Sequence, residues 1–379
     1  MNSGGEEIIF LTFILHKPLY MFKKIFLFSL GLAFLAGCNT KFSVNGEYVE
    51  TPVVHFLLDQ GEDYQFLKLN RTFLQEGNAN EFAKQPELSN FENVVATITE
   101  IKDGSTLRTW TLEDTIIKNK KEGAFYGPEQ KLYFFKVDSD DDNEKLREDA
   151  FYRLKIDIDN GNHIITGQTQ LVGGVDITYP KPQLSLNFAE FDVPANGYRS
   201  TPITFSRSPD AGIFNLRIRF EYNEFIGSAY EKKSLIWSVG DITNSGITSS
   251  SATISADGEQ FYQFVQNNIP VNPNVTKRTV SSFELILVGG SNDLYTYMLT
   301  NEPSSSLAQN KPTYSNVDGA LGIFSSRVSV KQFKPGFTAP FTRALNENST
   351  KELCNGQYTA ALKFCSSIIN DNGTSFYCN

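Results

Sequence analysis

Residues 152–166 read YRLKIDIDNGNHIIT, and they decide the class of fold. Tyr152, Leu154, Ile156 and Ile158 alternate with Arg153, Lys155, Asp157 and Asp159. Apolar residues at every second position mark a strand with one face buried and the other wet. Asn160-Gly161 then turns the chain back into His163-Ile164-Ile165-Thr166, so the stretch predicts a hairpin. Upstream the same grammar repeats. Val94 to Ile101 and Thr106 to Leu112 flank Lys102-Asp103-Gly104, where Asp-Gly is a hairpin turn signal. Val53 to Leu58, the stretch carrying Tyr64, Phe66, Leu67 and Leu69, and Lys131 to Val137 supply further strands. The reading is a mostly β protein whose residues 46–180 form an Ig-like antiparallel β-sandwich.

Downstream, Tyr179-Pro180-Lys181-Pro182 reads as a linker, because two prolines interrupt strand pairing. Residues 181–335 are expected to form a second β-rich domain with one short helix. Its strands are Ile213 to Tyr222, Ser234 to Val239 and Phe283 to Val288. Its helix is Asp257 to Ile269, capped by Ser255 or Asp257, with Phe261, Phe264 and Val265 on one face. Gly289-Gly290-Ser291-Asn292-Asp293 reads as a turn between strands. Residues 336–379 read as a cysteine-containing tail, with a short helix opened by Ser349-x-x-Glu352.

The N-terminus speaks of export. Met21-Phe22-Lys23-Lys24 is followed by the apolar run Ile25 to Leu35, then Ala36-Gly37-Cys38. A charged start, a short apolar core and small residues before a cut describe a secretory signal. The core is about half of the ~20 residues a spanning helix needs. Leu35-Ala36-Gly37-Cys38 resembles the lipobox of bacterial lipoproteins, which implies a signal peptide over 21–37 and a lipidated Cys38 as the new N-terminus. Residues 1–20 carry Glu6 and Glu7 ahead of their apolar patch, wrong for a signal, and read as an extension preceding a true start at Met21. Residues 38–45 read as a tether.

Composition narrows the function. The net charge is −9 and no basic block occurs, so nucleic acid is not expected as a partner. Aromatic residues make up 13% of the chain, ample for packed cores. Beyond Cys38, the cysteines are Cys354, Cys365 and Cys378. In an oxidising compartment, three thiols suggest one bridge and one left over. Cys365–Cys378 is favoured, as a hairpin about Asn370-Asp371-Asn372-Gly373; Cys354–Cys365 is the alternative.

Catalytic motifs are lacking: GxSxG, HExxH, GxxxxGK[ST] and GxGxxG do not occur. After processing only His55 and His163 remain, both on expected strands, and no enzyme or resident cofactor is expected. Calcium is the one metal with a candidate site. Asp138, Asp140 and Asp142 match positions 1, 3 and 5 of an EF-hand loop, and Asp149 falls at position 12. Asn143 replaces the turn glycine, however, and a strand rather than a helix precedes the loop. For sugar stacking, Trp110 and Trp237 lie inside strand patterns and are expected to be buried. The 16 tyrosines leave room for a platform that sequence does not locate.

One block is more distinctive. Asp293-Leu294-Tyr295-Thr296-Tyr297, Asn301-Glu302-Pro303, and Tyr314 to Phe324 with its Ser315-Asn316-Val317-Asp318-Gly319-Ala320-Leu321-Gly322 core follow one another. This resembles the closing segment of a Bacteroidota outer-membrane lipoprotein family of unknown function, where a Tyr-x-Tyr strand precedes an SN(I/V)xxGLGxF signature. Here Ala320 is an extra residue. The resemblance covers about residues 38–335 and implies an accessory of a TonB-dependent receptor, anchored in the outer membrane by lipid on Cys38. It supplies no catalytic residues. Asn316, Gly319 and Gly322 read as a tight connection into an edge strand, with a ligand loop as the functional alternative.

The expectation is thus a non-enzymatic, lipid-anchored lipoprotein that assists a TonB-dependent receptor in ligand capture or uptake. A cell-surface adhesion or fimbrial component and a carboxylate-based secreted hydrolase are the alternatives. Asn39 is not the aspartate that commonly retains lipoproteins at the inner membrane, which favours the outer one.

Overall fold

A computed structural model describes residues 50–72, 79–119, 123, 126–246, 248–302, 313–338 and 342–378. The signal, the tether and Cys38 lie outside the described residues. In chain order the strands are β1 (Pro52–Asp59), β2 (Tyr64–Arg71), β3 (Val94–Lys102), β4 (Ser105–Thr111), β5 (Glu113–Ile117), β6 (Gln130–Lys136), β7 (Phe151–Ile158), β8 (His163–Gln170), β9 (Asp176–Tyr179), β10 (Ser200–Ser206), β11 (Ala211–Ile226), β12 (Ala229–Thr243), β13 (Ser251–Asp257), β14 (Lys277–Ser291), β15 (Val317–Asp318), β16 (Leu321–Pro335), and the short pair β17 (Phe337–Thr338) and β18 (Thr342–Arg343).

The protein is mostly β, as its periodicity requires. Residues 152–166 become the β7–β8 hairpin, with Asp159, Asn160 and Gly161 all at positive φ in the turn. Asp103 and Gly104 turn β3 into β4 in the same left-handed region.

Eight strands form one long sheet in the order β12-β11-β14-β16-β1-β2-β6-β5. Two smaller sheets, β15-β8-β7-β3-β4 and β13-β10-β9, cover it. Both lie on the same face. On β16 alternate residues share a side: Phe324 enters the core shared with β3, β7 and β8, and Val328 enters the core shared with β10 and β13. Between them, the buried Ser326 hydroxyl donates to Gln170 O at 2.7 Å and accepts from Val172 N at 3.1 Å. The first core lies between these sheets and takes in Val317 and Phe324, well beyond the residues 46–180 expected to form an N-terminal sandwich.

The segments on either side of Tyr179–Pro182 share the long sheet, and Glu50–Asn379 clusters as one unit. The connector is fastened rather than free. Gln332 donates to Pro180 O, and the buried Lys334 ammonium donates to Lys181 O, Pro182 O and Leu184 O. The tail is likewise built in: Leu345, Leu353, Leu362, Phe364 and Phe376 belong to the second core.

Several local expectations are corrected. β1 pairs with β16 in parallel, within an otherwise antiparallel sheet. No hairpin links these distant segments, so nothing imposes an antiparallel course. β16 is central rather than an edge strand. Asn292–Asn301 is a helix, where the resemblance implied a Tyr-x-Tyr strand. The Ser291 hydroxyl caps it by accepting from Leu294 N at 3.1 Å. The two glycines before it end β14 rather than making a turn, and an added Cβ on Gly290 would lie 3.0 Å from the Leu294 side chain. The expected helix is present at Gly258–Asn268, capped by Asp257. A third, Glu347–Asn355, is capped by Asn346 and not Ser349. More than one helix therefore accompanies the sheets.

Candidate functional site

The long sheet has one face on the two cores and one face outward. On β2, Leu67 and Leu69 point into the first core, so Tyr64, Phe66 and Lys68 point out. The register sets what lies beside them. Phe66 is directly opposite Phe134 of β6, Tyr64 is opposite Lys136, and Phe134 is opposite Glu113 of β5. The three rings form a cluster: centroids are 6.1 Å apart for Tyr64–Phe66, 5.9 Å for Tyr64–Phe134 and 6.0 Å for Phe66–Phe134. Tyr64 and Phe66 are nearly parallel, at 17°. Tyr64 is 48% exposed and Phe66 38%, although each has ring neighbours.

The rim is polar and carries both signs. The Lys136 ammonium lies 5.7 Å from the Tyr64 centroid, a cation–π distance. Lys68 donates to the Gln130 side chain at 3.1 Å. Asp63, next to Tyr64, accepts from the Ser139 hydroxyl at 2.6 Å and its amide at 3.1 Å, and these bonds hold its carboxyl below its usual range. His55 of β1 is opposite Lys68 and shares a 2.8 Å hydrogen bond with the Tyr297 hydroxyl. Burial first, and the Lys68 charge second, lower the His55 pKa; burial raises that of Tyr297. Both shifts favour the neutral forms of the two groups, where β1 meets the middle of the helix Asn292–Asn301.

The residues singled out from sequence lie elsewhere. Asp138, Asp140 and Asp142 do not converge: Asp138 accepts from Asp140 N, Asp142 pairs with Lys145 at 2.5 Å, and Asp149 pairs with Lys102 and Arg147. Among the described residues no group of three His, Cys, Asp or Glu side chains is disposed to hold an ion. The loop is ordered by a side-chain cation. Arg108 donates to Glu144 O at 2.7 Å and Lys145 O at 2.8 Å, and it grips the fully buried Glu100, to which Tyr152 also donates at 2.9 Å. Trp110 is half-buried rather than buried as expected, with the Arg108 guanidinium 4.8 Å and the Phe135 ring 5.0 Å from its own. Trp237 is in the second core.

Asn316, Gly319 and Gly322 are brought together by a crossing of the chain from one layer to the other. β15 pairs with β8, and three residues later β16 enters the long sheet. The Asn316 amide spans the crossing, donating to Phe324 O at 2.8 Å and accepting from Phe324 N at 2.9 Å. Gly319 has φ +79° and Gly322 φ +110°; a Cβ on Gly322 would lie 1.9 Å from Val54 O. Only glycine fits that approach.

Cys365 and Cys378 are joined, but not by a hairpin. Ile369–Asp371 is a 3-10 turn, and Ser366 bridges Tyr377 in parallel. Cys354 is buried, which pushes its thiol pKa up to about 12. Cys354 and Cys365 line a cavity of 240 Å³, smaller than a typical ligand pocket.

Sequence reading missed the ring cluster. Its only signal was the imperfect alternation of Tyr64, Phe66, Leu67 and Leu69: the outward positions are as apolar as the inward ones.

No family model matches the chain, and no curated protein matches it. Among solved structures it is similar to the C-terminal globular domain of an oligosaccharyltransferase from Pyrococcus abyssi, at 10% identity and a TM-score of 0.24, over 65% of this chain and 49% of that one. The chain thus spans about half the length of that neighbour. It is also similar to the calcium binding domain CBD12 of CALX1.1, at 9% identity and a TM-score of 0.14, over 74% and 98% of the two chains. CBD12 from CALX1.2 gives 8% and 0.15, over 75% and 100%. Likeness at this level carries no functional argument.

Proposed function

We propose that the protein is a non-enzymatic, lipid-anchored outer-membrane lipoprotein that captures a ligand for a TonB-dependent receptor. The observation that carries ligand capture is the exposed Tyr64–Phe66–Phe134 cluster with its mixed-charge rim. Exposed aromatic rings that already pack on one another give a large contact area at little entropic cost on binding. The lipobox ending at Cys38 supports anchoring, since several acyl chains hold a protein firmly in a bilayer. The Tyr314–Phe324 block, with its likeness to a Bacteroidota lipoprotein family, supports the receptor as partner.

Crosslinking in intact cells followed by purification tests this reading. Recovery of an outer-membrane barrel, with an intact mass showing acylated Cys38, is the expected result. Repeated recovery of the protein alone, or an unacylated N-terminus, overturns it.

A further inference from the structure

We propose that Tyr64, Phe66 and Phe134 are the stacking surface of a binding site for a neutral glycan. This rests on the ligand-capture reading and gives it a ligand class. The first argument is that the fold does not need these rings where they are. β2 and β6 already send Leu67, Leu69, Tyr133 and Phe135 into the first core. The outward rings belong to neither core, yet they gather from two adjacent strands into one cluster. A solvated sheet face ordinarily alternates to polar residues.

The second argument concerns what fits on top. A pyranose has an apolar face of C–H bonds, slightly positive, and a rim of hydroxyls. The negative face of an aromatic ring suits the first. The hydroxyls each donate and accept, so they need both kinds of partner at the edge of the rings. The rim supplies both: Lys136 and Lys68 donate, Glu113 accepts, and Gln130 and the Tyr64 hydroxyl do either.

The third argument selects against charged ligands. A polyanion approaching Lys68 and Lys136 also meets Glu113 and Asp63, on a chain of net charge −9. A polycation meets the two lysines. An uncharged polyhydroxylated chain meets no like charge in either place. The rings stand on an open sheet face, with Tyr64 and Phe66 exposed, which suits an internal stretch of a polysaccharide.

Affinity electrophoresis of the full chain tests this, through native gels containing dextran, mannan, xylan or galactomannan, with polygalacturonate as the polyanion. Retardation by at least one neutral polysaccharide is expected. The Tyr64→Ala/Phe66→Ala double variant should bind it at least tenfold more weakly, and Phe333→Ala, on the same face but away from the cluster, should bind as the native protein does. Circular dichroism verifies that the variants are folded. No retardation by any neutral polysaccharide, retardation by polygalacturonate alone, or full retention in the double variant each overturns the proposal. Barrel recovery after crosslinking separates the two readings. A barrel recovered without glycan binding removes the ligand class and leaves the receptor reading standing; recovery of neither removes both.

Discussion

The outward face of the long sheet is built in two ways. Across β12, β11, β14, β16 and β1 it is laced by ion pairs: Lys232–Glu221, Arg219–Glu284, Lys331–Glu62 and Arg327–Asp59. Across β2 and β6 it carries three clustered rings. The hydrogen-bonded backbone is continuous through both. The paired wall satisfies these charges and exposes its apolar side chains, Phe333 and Ile236, singly, with one ring pair at its far end, Phe225–Tyr230. The ring cluster leaves apolar surface in water, which the fold does not reward. The difference teaches that exposure alone does not mark a site; a contiguous cluster of rings gathered from adjacent strands does.

The largest expected effect breaks the continuity that makes the two regions one sheet. Gly322→Ala puts a Cβ against Val54 O where β16 meets β1, at a φ that side chains avoid. Stability should fall by several kcal/mol, about 3 or more, with loss of soluble protein. Gly104→Ala, in an open turn, should cost only about 1 kcal/mol. Urea denaturation reads both.

Next, Leu67→Ala should cost about 3 kcal/mol because it opens the first core. Tyr64→Ala/Phe66→Ala, its outward neighbours, should cost about 1 kcal/mol or less. Equal losses in urea midpoint would mean that the rings are structural and that the two regions do not differ.

Lys334 supplies a pH test at the inner face of the paired region. Burial pushes its ammonium pKa down to about 8 from the ordinary 10.5. Between those values the unfolded chain holds a proton that the folded one has released, so stability rises with pH through this window. Below about pH 8 the cost of the buried charge is present in full. The slope should vanish in Lys334→Met; an unchanged slope in that variant would assign it to other groups. The smallest effect is expected of Arg219→Ala, about 0.5 kcal/mol in urea at low salt and less at high salt, because a pair that solvent still reaches contributes little.

Local signals were legible where a residue type dictates a conformation. Asp103-Gly104 and Asn160-Gly161 marked their turns, and the helix cap was narrowed to Ser255 or Asp257, of which Asp257 is the one. The helix Asn292–Asn301 was not legible, because its Tyr-x-Tyr core also suits a strand and its fit depends on Gly212, Gly290 and Ser291 beneath it. The acidic run 138–142 looked like an ion site because carboxylates at alternate positions are the visible part; Arg108, which actually orders the loop, comes from a different strand. Asn316, Gly319 and Gly322 were recognisable as a special connection, but its role as a crossing between layers depends on Val54 and Ile164, far off in sequence.

By itself, then, the sequence determined that the chain makes strands, where many of them turn, and which faces are apolar, since period and turn chemistry act over a few residues. Only the tertiary structure decided that one eight-stranded sheet runs through both halves, that β1 lies parallel to β16, and that Tyr64, Phe66 and Phe134 meet in water. Those outcomes come from pairing register between segments distant along the chain, and register is set by how cores close rather than by any local run of residues.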